Sequence, residues 1–78
     1  MKLRIRDLRE DHDFKQKQVA EFLMCDQSLY SKYERGEHPL PLEYAECLAD
    51  YYNTSVDYLL GRTDEKTPYP KSQRKENA

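Results

Sequence analysis

Gln16-Lys17-Gln18-Val19-Ala20-Glu21-Phe22-Leu23-Met24-Cys25-Asp26-Gln27-Ser28-Leu29-Tyr30-Ser31-Lys32-Tyr33-Glu34-Arg35-Gly36 is the stretch that decides the fold. Val19, Leu23 and the small Ala20 recur at helical spacing, which predicts a helix of two turns from Gln16 to Leu23. Its entry residue, Lys15, is a poor cap, since it offers no side-chain oxygen to the first free N–H groups. Met24 and Cys25 interrupt the pattern, and Asp26, a good N-cap residue, opens a second predicted helix from Gln27 to Arg35. Gly36 then supplies the left-handed stop. Val19, Leu23, Cys25, Tyr30 and Tyr33 form the inner face of the pair, with Ala20 where the two helices cross most closely.

On the N-terminal side, Leu3, Ile5 and Leu8 among charged residues predict a short amphipathic helix over about 2–12, ended near Asp13, which tolerates the left-handed conformation. On the C-terminal side, Glu37-His38-Pro39-Leu40-Pro41 reads as a loop, because its prolines disfavour helix before Pro41. A helix follows from Leu42 to Tyr52, with Leu42, Ala45, Leu48, Ala49 and Tyr52 on one face and Glu43, Glu46 and Asp50 elsewhere; Asn53 ends it. Ser55 caps a short last helix from Val56 to Leu60, and Gly61 stops it. No strand is predicted. The expected fold is all-α, a compact five-helix domain over residues 1–63, followed by a polar C-terminal tail over 64–78 that cannot order itself alone.

Composition supports that division. Hydrophobic residues are 37% of the 78, and residues 64–78 contribute only Tyr69 and Ala78 to them. So short a chain has room for one small core and not for a deep substrate pocket as well. It carries no paired carboxylates, Ser/His/Asp set or Gly-rich phosphate loop, so no catalytic residues and no cofactor are expected. His12 and His38 stand at no metal-ligand spacing from Cys25 or Cys47, so no metal site is expected, and the isolated cysteines read as reduced thiols. No apolar run is long enough to span a bilayer or act as a signal peptide, which predicts a cytoplasmic protein with no membrane partner. The net charge of −2 weighs against a polyanionic partner, but it is unevenly placed. Residues 1–38 are net 0, residues 39–63 net −3 and residues 64–78 net +1, so an anionic partner would meet the first half.

A helix of about eight residues, a turn of about three and a helix of about nine is the helix-turn-helix arrangement, whose second helix lies in the DNA major groove. At this point the chain resembles the phage-repressor-like regulators of the Cro and xenobiotic-response-element type. The carriers are Arg4-Ile5-Arg6-Asp7-Leu8-Arg9-Glu10, Gln16, Val19-Ala20-Glu21, Tyr33-Glu34-Arg35-Gly36 and Ser55-Val56-Asp57-Tyr58-Leu59-Leu60-Gly61. Two positions depart from the family pattern: Met24 stands where Gly usually opens the turn, and Lys15 where Ser or Thr usually caps. In the left-handed conformation Met24 would cost on the order of 1 kcal/mol.

The resemblance implies a sequence-specific, double-stranded DNA-binding transcriptional regulator, expected to be a repressor that acts as a homodimer on a palindromic operator. It places Gln27, Ser28, Leu29 and Lys32 on the base-reading face, with Ser31 at its margin. Gln16 would hold a phosphate, with Arg9, Lys15, Lys17, Arg35 and His38 around it. Arg9 and Glu34 correspond to a salt bridge between the first and third helices, and Tyr30 and Tyr33 are expected in the core. Seven tyrosines in so small a chain suggest an interface, and the expected dimer contacts are Val56, Tyr58 and Leu59 with Tyr44 or Tyr51. The alternative is a protein-interaction module on the same fold, such as an antitoxin or anti-repressor partner. The plainer reading of Gln27, Ser28 and Lys32 is a solvated helix face.

Overall fold

The computed structural model describes residues 3–70. Among these the architecture is all-α, with five helices: α1 (Ile5–Asp11), α2 (Gln16–Leu23), α3 (Gln27–Glu34), α4 (Leu42–Tyr51) and α5 (Val56–Leu59). Ile5 and Leu8 from α1, Val19, Ala20 and Leu23 from α2, Tyr30 and Tyr33 from α3, and Leu48 and Ala49 from α4 meet Tyr52 and Leu59 in one buried cluster. Full burial of an Ile, Leu or Val side chain contributes roughly 1.5–3 kcal/mol. Ile5, Val19, Leu48 and Leu59 are fully buried, so each of these four helices is fastened to the core by at least one such residue. The Arg4 N–H donates to the Leu59 carbonyl at 2.9 Å, closing the start of α1 onto the end of α5.

The five helices end in the same way. Asp13, Met24, Gly36, Asn53 and Gly61 all have φ between 55° and 77°. Around each, two backbone bonds recover carbonyls that the helix end leaves free, as in the pairs Met24 N–H to Glu21 O (3.0 Å) and Cys25 N–H to Ala20 O (2.9 Å). Met24 does adopt the left-handed conformation, and its side chain is 90% exposed. It therefore carries backbone strain with no packing in return. Met24→Gly removes a penalty of roughly 1–2 kcal/mol and adds about 0.5–1 kcal/mol of unfolded-state entropy, so a net stabilisation of about 0.5–1 kcal/mol is expected from chemical denaturation.

Several local expectations need correction. The first helix begins at Ile5 rather than residue 2, and Arg35, Tyr52 and Leu60 are capping residues beyond the last helical turns. Asp26 occupies the N-cap position of α3 but makes no side-chain capping bond. At α2 the weakness of Lys15 is partly offset by Gln18, whose Oε1 accepts the Lys15 N–H at 2.7 Å. Leu42 is 67% exposed and is not part of the α4 core face. Side chains tilt toward a helix's N-terminus, so the first residue of α4 points off the end of the helix, beyond the core. Ser55 does cap α5, its Oγ accepting the Tyr58 N–H at 3.0 Å.

The segment expected as a tail starts with a stretch held against the domain. Arg4 donates to the Thr63 carbonyl (2.8 Å) and to Asp64 (2.7 Å), Thr54 Oγ1 donates to the Lys66 carbonyl (2.5 Å), and the Tyr69 hydroxyl donates to Asp57 Oδ2 (2.8 Å). Residues 71–78 of that expected tail lie outside the described residues.

Candidate nucleic-acid interface

The short turn at Met24-Cys25-Asp26 brings the N-termini of α2 and α3 onto one surface. Gln16 is the first residue of α2 and Gln27 the first of α3. Both line two adjoining shallow depressions, one with Asp26, Ser28, Ser31, Lys32 and Arg35, the other with Arg9, Glu10, Asp13, Phe14 and Lys15. Free N–H groups and the positive end of the helix dipole at such termini favour anions. Lys15 and Lys17 are exposed at the start of α2, so a backbone phosphate there would meet both kinds of positive charge.

Along α3, Gln27, Ser28, Ser31 and Lys32 follow at i, i+1, i+4 and i+5 and share the outward face. Ser31 thus belongs to the groove and not merely to its margin, and that helical spacing could have shown it. Leu29 is half-buried, packs against the core and is not among the residues lining this depression. It precedes Tyr33 by four residues, which puts both on the inward side of the helix.

Behind this face stands a buried ion pair. Arg9 Nε donates to Glu34 Oε2 at 2.6 Å and Nη2 to Oε1 at 3.1 Å, while Nη1 donates to the Phe14 carbonyl at 3.0 Å. Gln16 Nε2 donates to the same Glu34 Oε1 at 3.0 Å. The Arg9 side chain is 13% exposed and that of Glu34 3%. Burial pushes the Glu34 carboxyl up, but Arg9, the neighbouring Tyr30 hydroxyl and Gln16 outweigh it and hold the carboxyl below its ordinary value. Burial, with Glu34 next to it, in turn pushes the Tyr30 phenol far up. The arrangement links α1, the start of α2 and the end of α3, so the residues expected to touch phosphate, Arg9 and Gln16, are oriented by a carboxylate beneath the surface.

At the other end of α3, Arg35 is engaged by Glu37 and Ser31, and His38 lies exposed in the following loop. The residues expected at a dimer interface are dispersed in role. Val56 and Tyr58 are half-buried, with the Tyr58 ring 4.2 Å beneath the Arg4 guanidinium. Tyr44 meets Tyr33 edge-on at 5.9 Å, and Tyr51 stacks on Phe22 at 4.0 Å and on Phe14 at 5.5 Å. Leu59 is a correction: it is fully buried in the core, where a second subunit has no access to it.

The paired helices, their shared polar face and the ion pair beneath it define a helix-turn-helix DNA-binding domain. The family model described as Helix-turn-helix matches residues 5–59, and the chain belongs to this family of helix-turn-helix transcriptional regulators, related to the Cro and xenobiotic-response-element type repressors. It is similar to the uncharacterized HTH-type transcriptional regulator YobD of Bacillus subtilis (strain 168), with 42% identity over 92% of this chain and 62% of the relative. It is also similar to the HTH-type transcriptional regulator AnsR of the same organism, with 33% identity over 88% of this chain and 60% of the relative. A third relative is the cryptic phage CTXphi transcriptional repressor RstR of Vibrio cholerae, with 33% identity over 78% of this chain and 55% of the relative. The matched region thus spans less than two thirds of the length of these curated relatives. No solved structure matches the chain with significance. Among the described residues no helix is long and apolar enough to cross a membrane, and no group of three or more His, Cys, Asp or Glu is placed to hold a metal ion.

Proposed function

We propose that the chain represses transcription by occupying a palindromic operator as a homodimer, with α3 of each subunit in the major groove. The observation that carries this reading is the groove itself, in which the start of α2 and the polar face of α3 converge around Gln16, Gln27, Ser28, Ser31 and Lys32. Gln27 and Lys32 reach base edges, Ser28 and Ser31 support them at short range, and the N-terminus of α2 with Lys15 and Lys17 positions the phosphate backbone. In this reading Val56, Tyr58 and Tyr44 contribute to the surface on which two copies meet.

Two α3 helices related by a two-fold axis must enter successive major grooves, so the half-sites should lie roughly one helical turn, or about 34 Å, apart. Selection of bound duplexes from a random pool tests binding, symmetry and spacing at once. A recovered inverted repeat with that spacing supports the reading. A recovered single half-site removes the dimer, and a pool that is never enriched removes DNA recognition.

A further inference from the structure

The turn that ends α3 places a carboxylate on one of the interface's own cations. Gly36 is left-handed (φ 75°), the Gly36 N–H returns to the Tyr33 carbonyl, and the Glu37 N–H returns to the Lys32 carbonyl at 2.8 Å. Glu37 is thereby folded back beside Arg35. Arg35 Nε donates to Glu37 Oε2 at 2.8 Å and Nη2 to Oε1 at 3.1 Å, while Nη1 donates to Ser31 Oγ. This two-pronged grip is also the way a guanidinium holds a phosphate.

We propose that Glu37 is an internal phosphate mimic that occupies Arg35 at the rim of the recognition groove and so lowers the affinity of this surface for DNA. The inference rests on the DNA-binding reading above. Arg35 lines the groove together with Ser28, Ser31 and Lys32, so an unopposed guanidinium there would lie among groups that meet DNA. Paired with Glu37, it adds no net charge and releases no counterion on binding. The two side chains are 51% and 54% exposed, so the pair contributes little to folding and its effect falls on binding. Arg35 first, then Lys32 and His38, hold the Glu37 carboxyl below its ordinary value, so it stays ionised at neutral pH.

The test is a four-way comparison of the full chain, Glu37→Gln, Arg35→Ala and the double variant, with affinity for a duplex recovered by selection measured across a range of salt. Glu37→Gln should bind roughly 3- to 10-fold tighter per half-site at about 0.1 M salt, with a slope against salt steeper by about one per half-site. Arg35→Ala alone should weaken binding, because it leaves the Glu37 carboxylate unopposed beside the phosphates, and the double variant, which removes both charges, should bind within about twofold of the unaltered chain. An absent gain in Glu37→Gln, or a double variant that binds as tightly as Glu37→Gln, overturns the inference while leaving the DNA-binding reading intact. Failure of the unaltered chain to bind any duplex at low salt removes that reading, and this inference with it.

Discussion

Glu34→Gln should lower the stability of the domain by about 3–5 kcal/mol, the cost expected when one partner of a buried ion pair is removed. The substitution keeps the shape of the side chain, so it isolates charge and hydrogen bonding from packing. Glu34 accepts from Arg9 Nε on one oxygen and from both Arg9 Nη2 and Gln16 Nε2 on the other. An amide has a single oxygen, so in either orientation its NH2 faces at least one of these donors. Arg9, with 13% of its side chain exposed, would keep its charge with little water to solvate it. A domain of this size has a total stability of only about 4–10 kcal/mol, so the loss is a large fraction of the whole. Thermal melts should shift down by on the order of 15–30 °C. A shift below about 5 °C would show that the pair is replaceable. Arg9→Met combined with Glu34→Leu should cost less than Glu34→Gln alone, since no buried charge is then left unpaired.

The same pair should contribute to the acid sensitivity of the fold. The folded-state pKa of Glu34 lies below its ordinary value of 4.5, so its contribution is fully present above that value and disappears as pH falls through the depressed one. The melting temperature of the unaltered chain should therefore drop as the solution is acidified below about pH 4.5. In Glu34→Gln this portion of the decline should be missing, so the two curves converge at low pH. Parallel curves would assign the acid sensitivity to other carboxylates.

Much of the fold is local chemistry, and that part was legible. Asp13, Gly36, Asn53 and Gly61 are residue types that tolerate left-handed backbone, and each stops a helix where its position suggested. Met24 stops one too, although its type argues against it, because the crossing of α2 and α3 demands that geometry there. Leu42 was misread because periodicity assigns a helical face but not where the opposing core ends. The placement of 63–70 was hidden for a different reason. Its anchors are two bonds from Arg4, one of them an ion pair with Asp64, and single hydrogen bonds to Thr54 and Asp57, and they leave no periodic trace in a polar segment. At the site, the outward positions Gln27, Ser28 and Lys32 follow from helical spacing, and the same spacing turns Leu29 inward and Ser31 outward. Arg9 and Glu34 are 25 residues apart, so only the family resemblance paired them, and the contact of the second residue on that carboxylate, Gln16, had no signal in the sequence. The pairing of Glu37 with Arg35 leaves no sequence signal, because it depends on the direction in which the Gly36 turn returns the chain.

Gln27→Ala and Lys17→Ala should both weaken operator binding, but in distinguishable ways. Gln27 opens α3 inside the groove, where its amide can make a two-pronged contact with an adenine edge. Such a contact is worth about 1–3 kcal/mol, and the proposed dimer would make it twice, so affinity for the operator should fall roughly 30-fold to 20,000-fold. Binding to scrambled duplex should hardly change, because the lost contact carries sequence information and little charge. Lys17 stands exposed in the first turn of α2, where a cation neutralises phosphate whatever the base sequence. Its removal should weaken operator and scrambled duplex alike and reduce the dependence of log affinity on log salt by about two per dimer. If Gln27→Ala lowers both duplexes equally, Gln27 is a backbone contact and base reading must shift toward Ser31 and Lys32. If neither substitution has an effect, the polar face of α3 is a solvated surface, and the groove between α2 and α3 is not where this domain meets DNA.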